Sequence, residues 1–81
     1  MSKIFRNSEI KEIDNFLSNT DKITPSLKGV IQEELKDKTD KYKDSFIWLI
    51  SRNDVLTIDV FNIKGDIIET DNYFYKDYIK L

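Results

Sequence analysis

Eighty-one residues make room for one small domain, and at this size folding hides only roughly 60–65% of the surface of the unfolded chain, so the core must be thin. Cysteine and histidine are both absent, which rules out disulfides, Ser-His and Cys-His nucleophilic pairs and the usual zinc ligand sets. Lys plus Arg number 13 and Asp plus Glu 15, for a net charge of −2 with the signs interspersed, so there is neither a basic field for a phosphate backbone nor a concentrated acidic one.

In chain order, the opening stretch Met1 to Ser8 lacks the apolar stretch of a signal peptide, and no apolar run approaches the ~18 residues of a membrane span. A first helix is predicted to start at Asn7 or Ser8 as cap, with Glu9 and Glu12 in its first turn, where the helix dipole favours acids. Ile10, Ile13, Phe16 and Leu17 then recur at helical spacing on one face. Ser18-Asn19-Thr20-Asp21 reads as a loop. Thr24-Pro25 is a strong helix start, a good N-cap followed by the residue preferred at the first helical position. Leu27, Val30, Ile31, Leu35 and Tyr42 form the expected inward stripe of this second helix. Gly29 inside it costs about 1 kcal/mol relative to alanine unless it lets another element approach closely. From Glu33 to Asp44 charges alternate, with Glu34–Lys38 and Asp37–Lys41 as i,i+4 pairs, the pattern of a solvated helix face.

The period then changes to that of strands. Ser45–Arg52 and Val55–Asn62 are predicted strands joined by an Asn53-Asp54 turn, and a third begins at Ile67 after a turn holding Gly65. The strand is expected to run to about Tyr75 before an irregular or helical end. The fold class expected for residues 1–81 is therefore a single α+β domain, two N-terminal helices packed on one face of an antiparallel meander of three strands, or four.

The turn also sets a register. With Asn53-Asp54 as a two-residue loop, Leu49 faces Ile58, Ile47 faces Val60 and Ser51 faces Leu56, which makes one nearly all-apolar face for the helices. The second face then carries Phe46, Trp48 and Ile50 opposite Phe61, Asp59 and Thr57, and Ile67 joins it beside Phe61. Two helices cannot easily cover both faces, so either Ile4-Phe5 and the aromatic tail Tyr73–Tyr78 cover the second one, or a partner does, a second copy of the chain included.

Little catalytic equipment is left. Gly29 and Gly65 are the only glycines, so no phosphate-binding fingerprint exists. Asp59 with Glu69 and Asp71 could form the carboxylate grouping of a Mg²⁺-dependent nuclease, but Glu69-Thr70-Asp71 stands where the accompanying Glu-x-Lys would be, and ordinary polar alternation along a strand is the favoured reading. The tail Asn72 to Lys80 interleaves aromatics with Lys76 and Lys80, as single-stranded nucleic-acid binders do, yet the acidic balance favours reading those rings as core.

The expectation is a non-catalytic protein-binding module without cofactor or metal, with Phe46, Trp48, Phe61, Tyr73 and Tyr75 as anchors and Asp59 and Glu69 as charged complements. Alanine is absent while Lys, Ile, Asp and Asn abound, a codon signature of an AT-rich genome. Together with the small size this points to a cytoplasmic inhibitor of host defence (of anti-CRISPR or anti-restriction type) or of a metabolic enzyme, encoded by a phage, virus or mobile element. The alternatives are an immunity or antitoxin-like protein and a small nucleic-acid-binding regulator.

Overall fold

In the computed structural model, residues 2–6, 9–20 and 22–79 are described. Strand β1 (Ser2–Arg6) leads into helices α1 (Ile10–Ser18) and α2 (Pro25–Lys41). Strands β2 (Ser45–Ser51), β3 (Val55–Asn62) and β4 (Ile67–Phe74) follow, and the chain closes with a 3₁₀ turn, Tyr75–Tyr78. The four strands form one antiparallel sheet in the order β1-β2-β3-β4.

The expected start of α2 is the one found. Thr24 Oγ1 accepts from the Leu27 amide at 3.3 Å, and Pro25 occupies the first turn, where no amide partner is needed. The Thr24 hydroxyl also donates to the Tyr78 carbonyl at 3.0 Å, tying the C-terminal turn to the helix start. At α1 the capping candidates Asn7 and Ser8 lie outside the described residues. Glu9 occupies the N-cap position without a side-chain cap bond, rather than the first turn as expected. The expected loop residue Ser18 still belongs to the helix.

Two expectations for α2 need correction. Val30 does not join the inward stripe; it is 37% exposed. The stripe runs Leu27, Ile31, Leu35, Lys38, so a lysine holds the position after Leu35. Nor does Gly29 serve a close approach, since a Cβ added there would meet nothing within 4 Å. Gly29→Ala is therefore expected to stabilise the domain by about 0.5–1 kcal/mol through helix propensity and reduced unfolded-state entropy, read as a higher midpoint in urea with an unchanged slope.

The first hairpin closes as the turn chemistry requires, with the Arg52 amide donating to the Val55 carbonyl at 2.9 Å. Its register pairs Ile47 with Val60, Leu49 with Ile58 and Ser51 with Leu56. In the second turn Gly65 takes φ +86°, and Asn62 Oδ1 accepts from the Lys64 and Asp66 amides at 2.9 and 3.0 Å. The ladder then skips Ile68: Phe61 pairs with Ile67 but Val60 with Glu69.

The sheet has four strands rather than three because the N-terminus supplies one. Ser2–Arg6 pairs with β2, Phe5 opposite Ile47 and Ile4 opposite Trp48. Alternation sends Phe5 into the core at 1% exposure and leaves Ile4 56% exposed, so the pair does not lie over Trp48 and Phe46 as a cover. Phe5 meets the α1 ring of Phe16 edge-on, centroids 6.0 Å apart.

One buried cluster unites the helices with one set of alternate strand residues. Ile13, Phe16 and Leu17 of α1 and Leu27, Ile31 and Leu35 of α2 pack with Phe5, Ile47, Leu49, Leu56, Ile58 and Tyr75. No helix among the described residues is long and apolar enough to cross a membrane.

Candidate functional site

The other alternate set forms the second face of the sheet. Its central row is Ile4, Trp48, Asp59, Thr70 across the four strands, flanked by Arg6, Phe46, Phe61, Ile67 on one side and Ser2, Ile50, Thr57, Asn72 on the other. None of these residues belongs to the buried cluster. Ile67 is 57% exposed, Ile63 in the adjoining turn 74% and Phe74 at the far end of β4 44%. Trp48, Phe46 and Phe61 are half-buried, with the Trp48 and Phe61 rings 5.8 Å apart and tilted by 34°. A shallow depression of about 280 Å³ opens between Ile4, Phe46, Phe61, Asn62, Ile63 and Gly65.

Two polar side chains on this face are almost fully covered, and they differ in how they are satisfied. Thr57, 4% exposed, receives a hydrogen bond from Arg52 Nη1 at 3.1 Å and donates to Asn72 Oδ1 at 2.7 Å. Asp59, 7% exposed beside Trp48, accepts no hydrogen bond and forms no ion pair among the described residues. No buried side-chain oxygen or nitrogen among those residues is both sealed from solvent and unpartnered. The Asp59 carboxylate therefore keeps a narrow access to solvent, and the open side of the sheet is where that access lies.

Phe46, Trp48, Asp59 and Phe61 thus share one surface, whereas Glu69, Tyr73 and Tyr75 do not join them. Pairing puts Glu69 opposite Val60, Asp71 opposite Ile58 and Tyr73 opposite Leu56, on the side of the buried cluster. Tyr75 is core, 6% exposed, with its hydroxyl 2.6 Å from Ser51 Oγ. Tyr73 packs against the cluster and lies 6.5 Å from the Tyr78 ring. The rings of the tail thus finish the core, with Lys76 exposed beside them and Lys80 outside the described residues. The carboxylate grouping is split for the same reason: Asp59 points one way and Glu69 with Asp71 the other. Among the described residues no three Asp or Glu side chains are placed to hold a metal ion.

Glu69 and Asp71 face Lys38. Its ammonium donates to Glu69 Oε2 at 2.6 Å and to Asp71 Oδ2, with Glu34 at 3.7 Å one helical turn away. Burial alone would push this lysine down, but the hydrogen bonds and charges of Asp71 and Glu69 outweigh it and hold the ammonium above its ordinary range. The alternating charges around Lys38 suggested a solvated face, and its place on the Leu27–Ile31–Leu35 stripe was the available signal to the contrary.

Burial, then the negative charges of Glu34 and Asp71, push the Tyr73 phenol up to about 12. In an absorbance titration at alkaline pH, one tyrosine is expected to ionise well after its ordinary 10.0, and Tyr73→Phe to remove that late step. The sign for stability follows. The unfolded chain releases this proton near 10.0 and the folded chain only near 12, so stability falls as pH rises through that window.

No family model matches the chain, and neither the curated proteins nor the solved structures include a match to it.

Proposed function

We propose that the chain is a non-catalytic protein-binding module whose partner docks on the open face of the sheet. The observation that carries this reading is the face itself: Trp48, Phe46 and Phe61 packed together, with Ile4 and Ile67 beside them, on the side away from the buried cluster. Contiguous exposed apolar surface rimmed by polar groups marks interaction sites, and aromatic residues are favoured anchors at them. The separation of Asp59 from Glu69 and Asp71 breaks up the carboxylate grouping that metal-assisted hydrolysis would need, which supports a binding role over the nuclease alternative. Burial of Tyr75 and packing of Tyr73 occupy the rings a single-stranded nucleic acid would stack on. Within this reading, small size and AT-rich coding favour an inhibitor carried by a phage, virus or mobile element and acting in the host cytoplasm.

The test is affinity capture from the native host with the wild-type chain and with Phe61→Asp, checked for folding by circular dichroism. A protein retained by the first and lost from the second is the expected result. Equal retention by both moves the site elsewhere, and no retention by either removes the reading. The lone tryptophan gives an independent check. In the free monomer, Trp48 emission is expected to be quenched by acrylamide and to become protected when the partner is added.

A further inference from the structure

Asp59 specifies the chemistry of what docks there, and this inference rests on the open face being the binding site. We infer that the face receives a protein segment that presents a cationic side chain, best an arginine, between apolar neighbours. Asp59 is 7% exposed and unpartnered among the described residues, although its position in β3 places it in the centre of the face. A carboxylate with so little exposure and no partner among the described residues gains from a charged donor that reaches it from its open side. Trp48 is its direct cross-strand neighbour, so an arginine arriving from the open side can lay its guanidinium on the indole while donating to the carboxylate. Among the described residues no cation pairs with Asp59: Arg52 donates to Thr57, and Arg6 stands in the flanking row opposite Phe46. Phe46 and Phe61, with the depression beside them, accept the apolar neighbours of the arriving cation.

A second copy of the chain fits this face poorly. A two-fold axis through the centre of the face would bring two Asp59 carboxylates together without a counter-charge.

The experiment uses two acetylated, amidated pentapeptides, Leu-Phe-Arg-Phe-Leu and the same peptide with neutral citrulline for arginine. Both are titrated into the ¹⁵N-labelled chain, and the Trp48 indole N–H and the amides of Trp48, Asp59 and Thr70 are followed. The arginine peptide is expected to shift these signals and to bind about tenfold tighter than the citrulline peptide, and Asp59→Asn to erase that difference. Equal binding of the two peptides to the native chain overturns the inference while leaving the open face as a binding surface. Failure of both peptides with a monomeric chain also overturns it, and the binding reading then stands or falls by the capture experiment. Failure of both with a dimer in light scattering, and Trp48 signals that move with protein concentration, overturns it in favour of a second copy. The comparison of peptides on the native chain keeps the test decisive even where Asp59→Asn disturbs the fold.

Discussion

Lys38→Met is expected to lower the melting temperature by on the order of 10 °C, corresponding to about 2 kcal/mol, in a calorimetric or circular-dichroism melt. Methionine keeps the apolar stem that lies along the inner stripe of α2, so the loss isolates the ammonium. Without it, Glu69 and Asp71 stand on the same side of β4 facing the helix, and Lys41, 3.9 Å from Glu69, is a distant counter-charge. The estimate sits below the range for sealed ion pairs because the Glu69 and Asp71 side chains are 29% and 40% exposed and keep part of their hydration. Adding Glu69→Gln and Asp71→Asn to Lys38→Met is expected to recover most of the loss, since it removes the two stranded charges. No recovery would mean that the ion cluster is not the source of the effect. The pH dependence has a definite sign. With its folded value raised, the Lys38 contribution is complete below its ordinary 10.5 and is lost as pH climbs through the folded value, in the same direction as that of Tyr73.

Phe5→Ala is expected to cost about 4 kcal/mol, and Ile4→Ala next to it less than about 0.5 kcal/mol, both read from urea unfolding. Phe5 is 1% exposed, in edge contact with Phe16, whereas Ile4 is 56% exposed at the rim of the open face. Against the roughly 4–12 kcal/mol that a domain of this size commands, the first loss leaves little. Similar losses at both positions would show that the open face is covered in solution, and the surface proposed for docking would be core.

The hairpin from β2 to β3 was legible because its information is local. Asn53-Asp54 sets the turn, the turn sets the register, and the register sorts Ile47 from Trp48 and Ile58 from Asp59. Skipping of Ile68 keeps Ile67 beside Phe61 on the open face and turns Glu69, Asp71 and Tyr73 towards the helices, which placed those residues away from the anchors expected to accompany them. Strand β1 was hidden because five residues carry hardly any alternation, and its partner lies forty positions along the chain, Arg6 opposite Phe46. Lys38 was hidden for a different reason. A lysine reads as solvent-facing until the two carboxylates that neutralise it are known to lie across from it, and that is a tertiary fact.

The pairing of β1 with β2 also has a consequence for the order of events in synthesis and folding. The meander β2-β3-β4 can close through short turns, each costing little chain entropy, but β1 must wait for a loop that spans both helices. The first of these four strands to be synthesised is thus among the last to find its place. Until β2 arrives, Phe5 has no strand to pair with, and until β1 docks, the outer edge of β2 is open to any other strand that can reach it.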